Sequence, residues 1–335
     1  MSNLEKFKVA ILLATKDGAE FLPEQLQSYR DQRHGNWELH VSDDGSSDST
    51  TDIIDQFARD ISQRVGRRRG PCQGFWRNFM SLARDRNITG DFFAFSDQDD
   101  IWSKEKLTRA VNWLAGIPET IPAVYCGRTE IVDRAGLTLG YSQLFTKAAS
   151  FQNALVENIG GGNTMVFNRA AKKLLEACEP VEVIAHDWWT YQLVTATGGI
   201  VDYDPQPCLK YRQHGRNVSG SRTGLDALIH RFMTLFPNRE FETNDIHIDA
   251  LLSIKQLLRP ESIASIELFA AARKGFLLER VRLLRQSGVY RQGTFENVAM
   301  FLGIIWAMFL RRELRLRGCP VEQVVWRVKP AGAWR

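Results

Sequence analysis

Short apolar runs alternate with segments of helical periodicity over the first two thirds of the chain. The runs at Phe7–Leu13, Trp37–Val41 and Phe92–Phe95 predict strands, and the first and last are apolar enough to be buried on both faces. A polar turn follows each run, and apolar residues at helical spacing follow the turn. This repeated order of strand, polar loop and helix predicts a mostly parallel α/β sheet flanked by helices.

The other periodic segments of this region extend the same prediction. Helices are expected at Phe21–Arg30, around Ile53–Phe57, and at Gly74–Ala83, Ile101–Trp113, Ala170–Ala177 and His186–Leu193, and strands at Pro122–Cys126, Thr129–Val132, Thr164–Phe167, Ile200–Tyr203 and Leu209–Tyr211. The basic cluster Arg64–Arg69 is interpreted as solvated surface, and a phosphate-facing role stays open because the cluster is close in sequence to the sheet.

The chain changes character at Ser219–Gly224, a segment of small and polar residues. Beyond it helices are predicted at Leu225–Phe236, Ile246–Leu258, Ile263–Arg285 and Phe295–Arg317, and no strand-like run occurs. We therefore predict an α/β domain at residues 1–222 and a helical C-terminal domain with a basic tail at residues 223–335.

The most apolar stretch of the chain is Val298–Leu310. Its 13 residues are fewer than the roughly 18–20 that cross a bilayer, which favours a buried helix. Arginines follow it at positions 311, 312, 315 and 317. Because cationic residues beside apolar ones favour anionic lipid surfaces, a peripheral membrane contact through residues 298–317 stays open.

Charge is distributed unevenly along the chain. The net charge is +4, but residues 311–335 hold seven basic and two acidic side chains, so the rest is nearly neutral. The basic tail makes a non-catalytic protein that binds membrane or nucleic acid an alternative interpretation. Nucleic-acid binding is disfavoured, because the acidic loops of the predicted sheet oppose phosphate binding without a metal ion.

The cysteines and the first residues indicate the compartment. Five cysteines are dispersed without a C-x-x-C pair, which is typical of a reducing environment. No apolar segment follows a basic start at the N-terminus, so no signal peptide is predicted. We expect a cytoplasmic protein.

Three carboxylates, Asp97, Asp99 and Asp100, follow the buried run Phe92–Phe95 within four residues. Like charges at this spacing repel, and burial raises the cost, so a cation is expected. Oxygen ligands favour Mg²⁺ or Mn²⁺, which substrate phosphates often share. A solvated acidic turn and a Ca²⁺ loop are the alternatives, although the glycine that an EF-hand loop needs is missing.

Ligands of parallel α/β sheets bind at the carboxyl ends of the strands. The segments Thr15–Asp17, Asp43–Asp44 and Asp97–Asp100 follow three predicted strands and should therefore face one crevice. The segment Asn158–Asn163 holds three consecutive glycines, which allow the backbone to approach a ligand closely or form a flexible corner.

Asp187 stands at the start of a predicted helix. It is either a helix cap or a general base that accepts a proton from a hydroxyl group. Trp188 and Trp189 follow it, and their apolar bulk could raise its pKa and form an apolar wall.

Seven segments over about residues 7–220 resemble glycosyltransferase family 2, the inverting nucleotide-sugar transferases with the GT-A fold. In chain order they read VAILLATKDGAEFLPEQLQS, WELHVSDDGSSDST, GFWRNF, FSDQDDIWSKEKL, GGGNTMVFNRA, HDWW and YRQHG. FSDQDDIW and YRQHG are most similar to bacterial rhamnosyltransferases that build cell-surface polysaccharides. The resemblance implies a Rossmann-like sheet flanked by helices, and the helical C-terminal region lies outside the shared motifs.

The resemblance also implies roles for individual residues. The nucleotide sugar would contact Ala14, Thr15, Lys16, Asp44, Asn78 and Asp97, with Asp44 at the base and Asp97 near the ribose. Asp99 would be the principal metal ligand, His214 a further ligand for metal or diphosphate, and Asp187 the catalytic base. The acceptor would contact Gly162, Asn163, Trp188 and Trp189.

The implied reaction transfers a sugar with inversion from a nucleotide diphosphate donor, such as dTDP-L-rhamnose, to a hydroxyl of a growing glycan such as O-antigen or capsule. A lipid-linked acceptor would bring the enzyme to the inner face of the plasma membrane. The first loop, Thr15–Gly18, lacks the aromatic residue common in the family, and His186 replaces the usual Glu before the base. These departures leave the nucleotide and acceptor preferences open. A sugar nucleotidyltransferase is a further alternative, although Ala14–Gly18 lacks its glycine-rich basic loop.

Overall fold

The computed structural model describes residues 4–178, 181–214 and 238–304. These residues form two compact units. The first contains residues 4–150, 158–178, 181 and 185–214, and the second contains residues 151–157, 182–184 and 238–304. The predicted boundary near residue 222 and the predicted helix Leu225–Phe236 lie outside the described residues.

The first unit is built on a nine-stranded sheet. Its strands are β1 (Val9–Thr15), β2 (Trp37–Asp43), β3 (Val65–Arg69), β4 (Phe92–Ser96), β5 (Ile101–Trp102), β6 (Ala123–Val132), β7 (Thr138–Tyr141), β8 (Val166–Asn168) and β9 (Ile200–Arg212). The order is β3-β2-β1-β4-β8-β6-β9-β5, and β7 pairs with β6. The first four strands in this order are parallel neighbours, and β8 runs antiparallel to both β4 and β6.

Helices cover both faces of this sheet, as the sequence predicts. They are α1 (Leu22–Arg30), α2 (Thr50–Arg59), α3 (Phe75–Ala83), α4 (Lys106–Leu114), α6 (Arg169–Ala177) and α7 (His186–Ala196), while α5 (Phe151–Ala154) belongs to the second unit. Alternate side chains of β1, at Val9, Ile11 and Leu13, pack in one core with α1, α2 and α4. All seven residues of β1 are buried, so an unbroken apolar run did indicate a strand covered on both faces. The predicted fold class is confirmed.

The cluster Arg64–Arg69 is at the surface, as interpreted, because Arg64, Arg67 and Arg69 are exposed. Val65–Arg69 also forms β3 in parallel register with β2, a strand that the sequence did not predict. β3 is an edge strand of the sheet and pairs with β2 on one side, so its sequence does not have to be apolar. Arg67 donates two hydrogen bonds of 2.9 Å to Asp55, and Arg68 forms an ion pair with Asp85. The polar sequence therefore suits a strand whose side chains pair with acids.

Three other elements differ from the predictions. Ile101–Trp102 is not the first turn of a helix but the short strand β5, antiparallel to β9. The runs predicted as separate strands at Pro122–Cys126 and Thr129–Val132 form one strand, β6, whose register with β9 shifts between Gly127 and Thr129. Ile200–Tyr203 and Leu209–Tyr211 likewise belong to one strand, β9.

The second unit is helical in its described part. After α5 it contains α8 (Asn238–Ser253), α9 (Pro260–Ala272), α10 (Leu277–Ser287) and α11 at residues 294–304. The single helix predicted at Ile263–Arg285 is broken between α9 and α10, where Gly275 and Phe276 stand. The predicted helical residues 305–317 lie outside the described residues. Within the described ranges no helix is long and apolar enough to cross a membrane.

Candidate active site

The loops after β1, β2 and β4 meet at one edge of the sheet. Oγ1 of Thr15 donates a 2.9 Å hydrogen bond to Oδ1 of Asp43. The backbone N–H of Lys16 donates to the side-chain oxygen of Gln98 at 2.8 Å, and the Gln98 amide donates back to the Lys16 carbonyl at 2.9 Å. The prediction that these loops share a crevice is confirmed by these contacts.

Asp44 and Asn78 meet around Gly70. Asp44 accepts hydrogen bonds from the backbone N–H groups of Cys72 and Gly74, at 2.7 and 3.2 Å. A Cβ atom on Gly70 would lie 2.6 Å from a carboxylate oxygen of Asp44 and 2.6 Å from Oδ1 of Asn78. Only glycine therefore fits here without displacing one of the two side chains.

The buried Asn78 has an unused acceptor. It is 2 % exposed, and its amide nitrogen donates to the Ser42 carbonyl at 2.9 Å. Its Oδ1 has no hydrogen-bond partner in the part of the chain that the structure describes. A buried oxygen without a partner is costly, and a donor on a ligand would remove that cost.

The first loop presents mixed accessibility. Ala14 and Thr15 are buried, at 9 % and 1 % exposed, so they can contact a ligand only through a small surface or through the backbone. The Lys16 side chain is 55 % exposed and lies 3.7 Å from the Asp17 carboxylate, and its ammonium contacts the Gly45 carbonyl. Three residues of this loop are predicted to contact the nucleotide. Of these three, Lys16 is the one whose side chain is largely accessible.

The acidic loop after β4 accumulates negative charge. Burial raises the pKa of Asp97 to about 8, and the neighbouring carboxylates of Asp99 and Asp187 add to this shift. Burial also raises the pKa of Asp100 well above its usual range, with Asp99 and Asp97 as further causes. Asp187 is far from this loop in sequence, so the tertiary structure brings the predicted base to the predicted metal loop.

A buried lysine that the sequence analysis did not single out lies beneath this loop. Lys106 is 0 % exposed, its ammonium lies 4.0 Å from the centre of the Trp102 ring, and it contacts the Asn163 carbonyl. Burial lowers its pKa to about 8. The Asn163 amide in turn donates to Oδ2 of Asp100 at 2.6 Å. Lys106 therefore joins the glycine-rich segment to the acidic loop and supplies a positive charge.

Asp99 and His214 are in contact, as the resemblance implies for two metal ligands. Nε2 of His214 lies 2.7 Å from Oδ2 of Asp99. The His214 ring stacks on Phe21 with centroids 4.9 Å apart and an interplanar angle of 26°. Phe21 is the residue before α1, and it lies in the first segment that carries the resemblance, although no role was predicted for it.

Arg212 contacts the acidic loop after β4, and no role was predicted for it from the sequence. It is 1 % exposed, and its guanidinium lies 4.8 Å from the centre of the Phe21 ring. It donates to the backbone carbonyl of Asp99 at 3.4 Å and forms a 2.8 Å ion pair with Glu24. The quoted motif YRQHG includes Arg212, and its two-residue spacing from His214 along an extended chain was the available signal.

The donor set fits a divalent cation. In the described ranges no three His, Cys, Asp or Glu side chains are arranged to hold a metal ion. Asp99 and His214 would supply two protein ligands, and Mg²⁺ and Mn²⁺ sites often take the others from substrate phosphates and water. Adjacent ligands of an octahedral ion lie about 3 Å apart, close to the 2.7 Å observed here. Burial and mutual repulsion raise the pKa values of Asp97 and Asp100, and a cation at the same place would offset both effects.

Asp187 is held by two backbone donors. Its Oδ2 accepts from the Gly162 N–H at 3.0 Å, and its Oδ1 accepts from the Trp188 N–H at 2.7 Å. A Cβ atom on Gly162 would lie 2.3 Å from Nε2 of His186 and 3.3 Å from Cβ of Asp187, so only glycine permits this approach. The helix α7 has Ala185 as its N-cap, so Asp187 is not the capping residue itself.

The aromatic residues around Asp187 differ in accessibility. Trp188 is partly exposed, whereas Trp189 is 1 % exposed and belongs to the core. His186 is 4 % exposed, with its ring stacked on Phe79 at 3.9 Å. Of the two tryptophans predicted to face an acceptor, only Trp188 therefore has accessible surface.

Comparison with known proteins decides the class. Residues 10–175 match the model of Glycosyl transferase family 2. This region belongs to glycosyltransferase family 2. The predicted resemblance to family 2 is thus confirmed, and the match supports a glycosyltransferase.

One curated relative of this family 2 protein is the dTDP-rhamnosyl transferase RfbG of Shigella flexneri. It is 27 % identical over 230 residues, which cover 64 % of this chain and 76 % of the relative. Other bacterial glycosyltransferases match over shorter regions, and the chain covers 21–62 % of their length.

Solved structures share the fold. TarS 1–349 of S. aureus in complex with UDP-GlcNAc has a TM-score of 0.51 and 17 % identity, with 84 % of this chain and 93 % of that chain covered. GalNAc-T7 with UDP, GalNAc and Mn²⁺ has a TM-score of 0.51 and 11 % identity, with 85 % and 56 % covered. The predicted GT-A fold is confirmed by these similarities.

Proposed function

We propose that this family 2 glycosyltransferase moves a sugar, with inversion, from a nucleotide diphosphate donor to a hydroxyl group of a growing glycan. The observation that carries the proposal is the proximity of Asp187 to Asp97, on the loop where Asp99 meets His214. One base beside one diphosphate site allows the acceptor hydroxyl to displace the nucleoside diphosphate in a single step. A single displacement inverts the configuration at the anomeric carbon.

Asp187 accepts the proton of the acceptor hydroxyl during attack. The N–H groups of Gly162 and Trp188 orient its two oxygens, and each oxygen keeps a further lone pair for the hydroxyl. The first turn of α7 favours negative charge at this position, because the helix dipole is positive there. Trp188 offers apolar surface for the acceptor sugar.

Asp99 and His214 would hold Mg²⁺ or Mn²⁺. Such an ion supplies positive charge to the diphosphate as the donor bond breaks. The presence of Mn²⁺ in the structure of GalNAc-T7 supports this choice of cofactor. Lys106 partly offsets the carboxylates beneath the site, and Arg212 and Phe21 orient Asp99 and His214.

The donor is proposed to be dTDP-L-rhamnose, which the similarity to RfbG supports. Asp44 and Asn78 would recognise the base, and Ala14, Thr15, Lys16 and Asp97 the rest of the nucleotide. We further propose a lipid-linked acceptor of the O-antigen or capsule type at the cytoplasmic face of the plasma membrane, in contact with Gly162, Asn163 and Trp188. A membrane contact through residues 298–317 stays a prediction, and residues 305–317 lie outside the described residues.

The test is to incubate the purified protein with Mn²⁺ and a panel of nucleotide sugars, and to measure released nucleoside diphosphate. We expect release with dTDP-rhamnose and little with the other donors. Asp187→Asn is the matched variant, because it keeps the shape of the side chain and one of its two acceptor oxygens but not its basicity. The proposal would be contradicted if the wild type and Asp187→Asn released equal amounts of nucleoside diphosphate, or if the wild type released none with any donor. Retention of configuration in the product would contradict inversion.

A further inference from the structure

The second unit carries an exposed apolar surface on α10 and α11. Phe276, which precedes α10, is 84 % exposed, and Leu278 in its first turn is 86 % exposed. On α11, Phe295, Val298 and Leu302 are 60 %, 53 % and 60 % exposed. Their spacing of three and four residues puts them on one helix face. We call these five side chains the apolar surface.

The start of α10 lies next to the described end of α11. The guanidinium of Arg280, only 3 % exposed, donates to the Ile304 carbonyl of α11 at 2.7 Å and to the Gly275 carbonyl at 2.6 Å. Arg280 is two residues beyond Leu278, and Ile304 is two residues beyond Leu302. This buried contact therefore brings the start of α10 next to the described end of α11.

Positive charge borders the apolar surface. Arg282 and Arg285 are exposed and follow Leu278 by four and seven residues, so they continue the same face of α10. Lys274 is exposed immediately before Gly275. Residues 273–304 contain six basic and two acidic side chains. The outer face of α10 is thus apolar at its start and cationic along its length.

We propose that the apolar surface binds an anionic lipid bilayer, with Phe276 and Leu278 inserted at the level of the headgroups and with Arg282 and Arg285 at lipid phosphates. Exposed aromatic and leucine side chains gain by leaving water, and cations beside them gain from an anionic surface. No described helix of this chain can span the bilayer, so the contact is peripheral.

Charge disfavours two other occupants of this surface. In a symmetric dimer each copy presents the same patch to its partner, which would bring the cationic faces of both α10 helices together. Residues 311–335 of this chain hold seven basic and two acidic side chains and would be repelled from the same face. An anionic lipid surface is complementary both to the arginines and to the apolar side chains.

The experiment uses the full chain and sedimentation with vesicles of phosphatidylcholine, with or without phosphatidylglycerol. We expect binding only to the anionic vesicles, and weaker binding at high salt. The double variant Phe276→Ser/Leu278→Ser should lose most of the binding. Arg282→Gln/Arg285→Gln should weaken it about 30-fold, since each cation near an anionic surface contributes a factor of roughly five.

Matched controls change exposed apolar and cationic residues elsewhere. Leu137→Ser/Leu139→Ser alters two leucines that are 68 % and 53 % exposed on the first unit, and Arg86→Gln/Lys173→Gln removes two exposed cations. Both should bind vesicles like the wild type. The proposal is overturned if wild type stays in the supernatant, if the α10 variants bind unchanged, or if sedimentation velocity shows a dimer that Phe276→Ser/Leu278→Ser dissociates. Donor hydrolysis without vesicles, unchanged in the α10 variants, tests the proposed reaction separately.

Discussion

Acid should destabilise the first unit through His186. This side chain is 4 % exposed, stacks on Phe79 at 3.9 Å, and meets the edge of Phe95 at 4.7 Å. Neither ring nitrogen has a hydrogen-bond partner in the described part of the chain. Burial lowers the pKa of His186 from 6.5 to about 4, and the negative charge of Asp187 opposes this only in part. The folded protein therefore holds a neutral imidazole in an aromatic cage.

The sign and size of the effect follow from linkage. Between about pH 6.5 and pH 4 the unfolded chain binds a proton at His186 that the folded chain does not, so the free energy of unfolding falls as the pH falls. From about pH 7.5 to about pH 5 this loss amounts to about 2 kcal/mol for the stated pKa values. Asp97 and Asp100 act in the opposite sense, because their pKa values are raised in the folded state.

The assay is urea unfolding, followed by tryptophan fluorescence, at the two pH values. His186→Phe keeps an aromatic ring but has no proton to bind, so its stability should lose about 2 kcal/mol less on acidification than that of the wild type. Because Asp97 and Asp100 are present in both proteins, the difference isolates the histidine. Phe79→Leu is the matched control, since it disturbs the same stack and should cost stability equally at both pH values. An identical pH dependence in wild type and His186→Phe would refute the reasoning.

Three further predictions concern the active site. Asp187→Asn should lower turnover by roughly 10²–10⁴-fold, as expected for loss of a general base, with donor affinity nearly unchanged; wild-type turnover would assign the role to another acid. Asp99→Ala should abolish turnover and weaken Mn²⁺-dependent binding of nucleoside diphosphate in calorimetry, and His214→Ala should raise the Mn²⁺ concentration needed; full activity in a chelator would contradict both. Gly162→Ala should reduce turnover more than Gly35→Ala, because its Cβ would lie 2.3 Å from Nε2 of His186 whereas that of Gly35 meets only Glu5, at 4.0 Å; equal activity of the two variants would show that the close approach at Gly162 is not needed.

The fold was predictable where burial alone selects the residues. Strands β1 and β4 are covered on both faces, so their sequences had to be continuous apolar runs, and the runs Phe7–Leu13 and Phe92–Phe95 identified them. The polar strand β3 was missed, because a strand at the end of the sheet is not required to be apolar. The break after α9 was missed because the apolar periodicity of Ile263–Arg285 continues through Gly275.

The candidate site was predictable to the extent that its residues follow strands. The acids after β2 and β4 were located by the rule that the carboxyl ends of parallel strands meet. No role was predicted for Lys106, Phe21 and Arg212. They lie in segments that carry the resemblance, but their local pattern indicates only core or surface. Their importance comes from contacts with Asn163, His214 and Asp99, which sequence spacing does not contain.

The sequence by itself determined the family, the order of strands and helices, and the loops that carry the acids, because these depend on local periodicity and on residues adjacent in the chain. Only the tertiary structure decided which acids interact. It brings Asp187 close enough to Asp97 to raise the pKa of Asp97, and it buries Lys106 beneath both loops. Desolvation and Coulomb interaction depend on distance and burial in space, and residues separated by many positions along the chain acquire them only when the chain is folded.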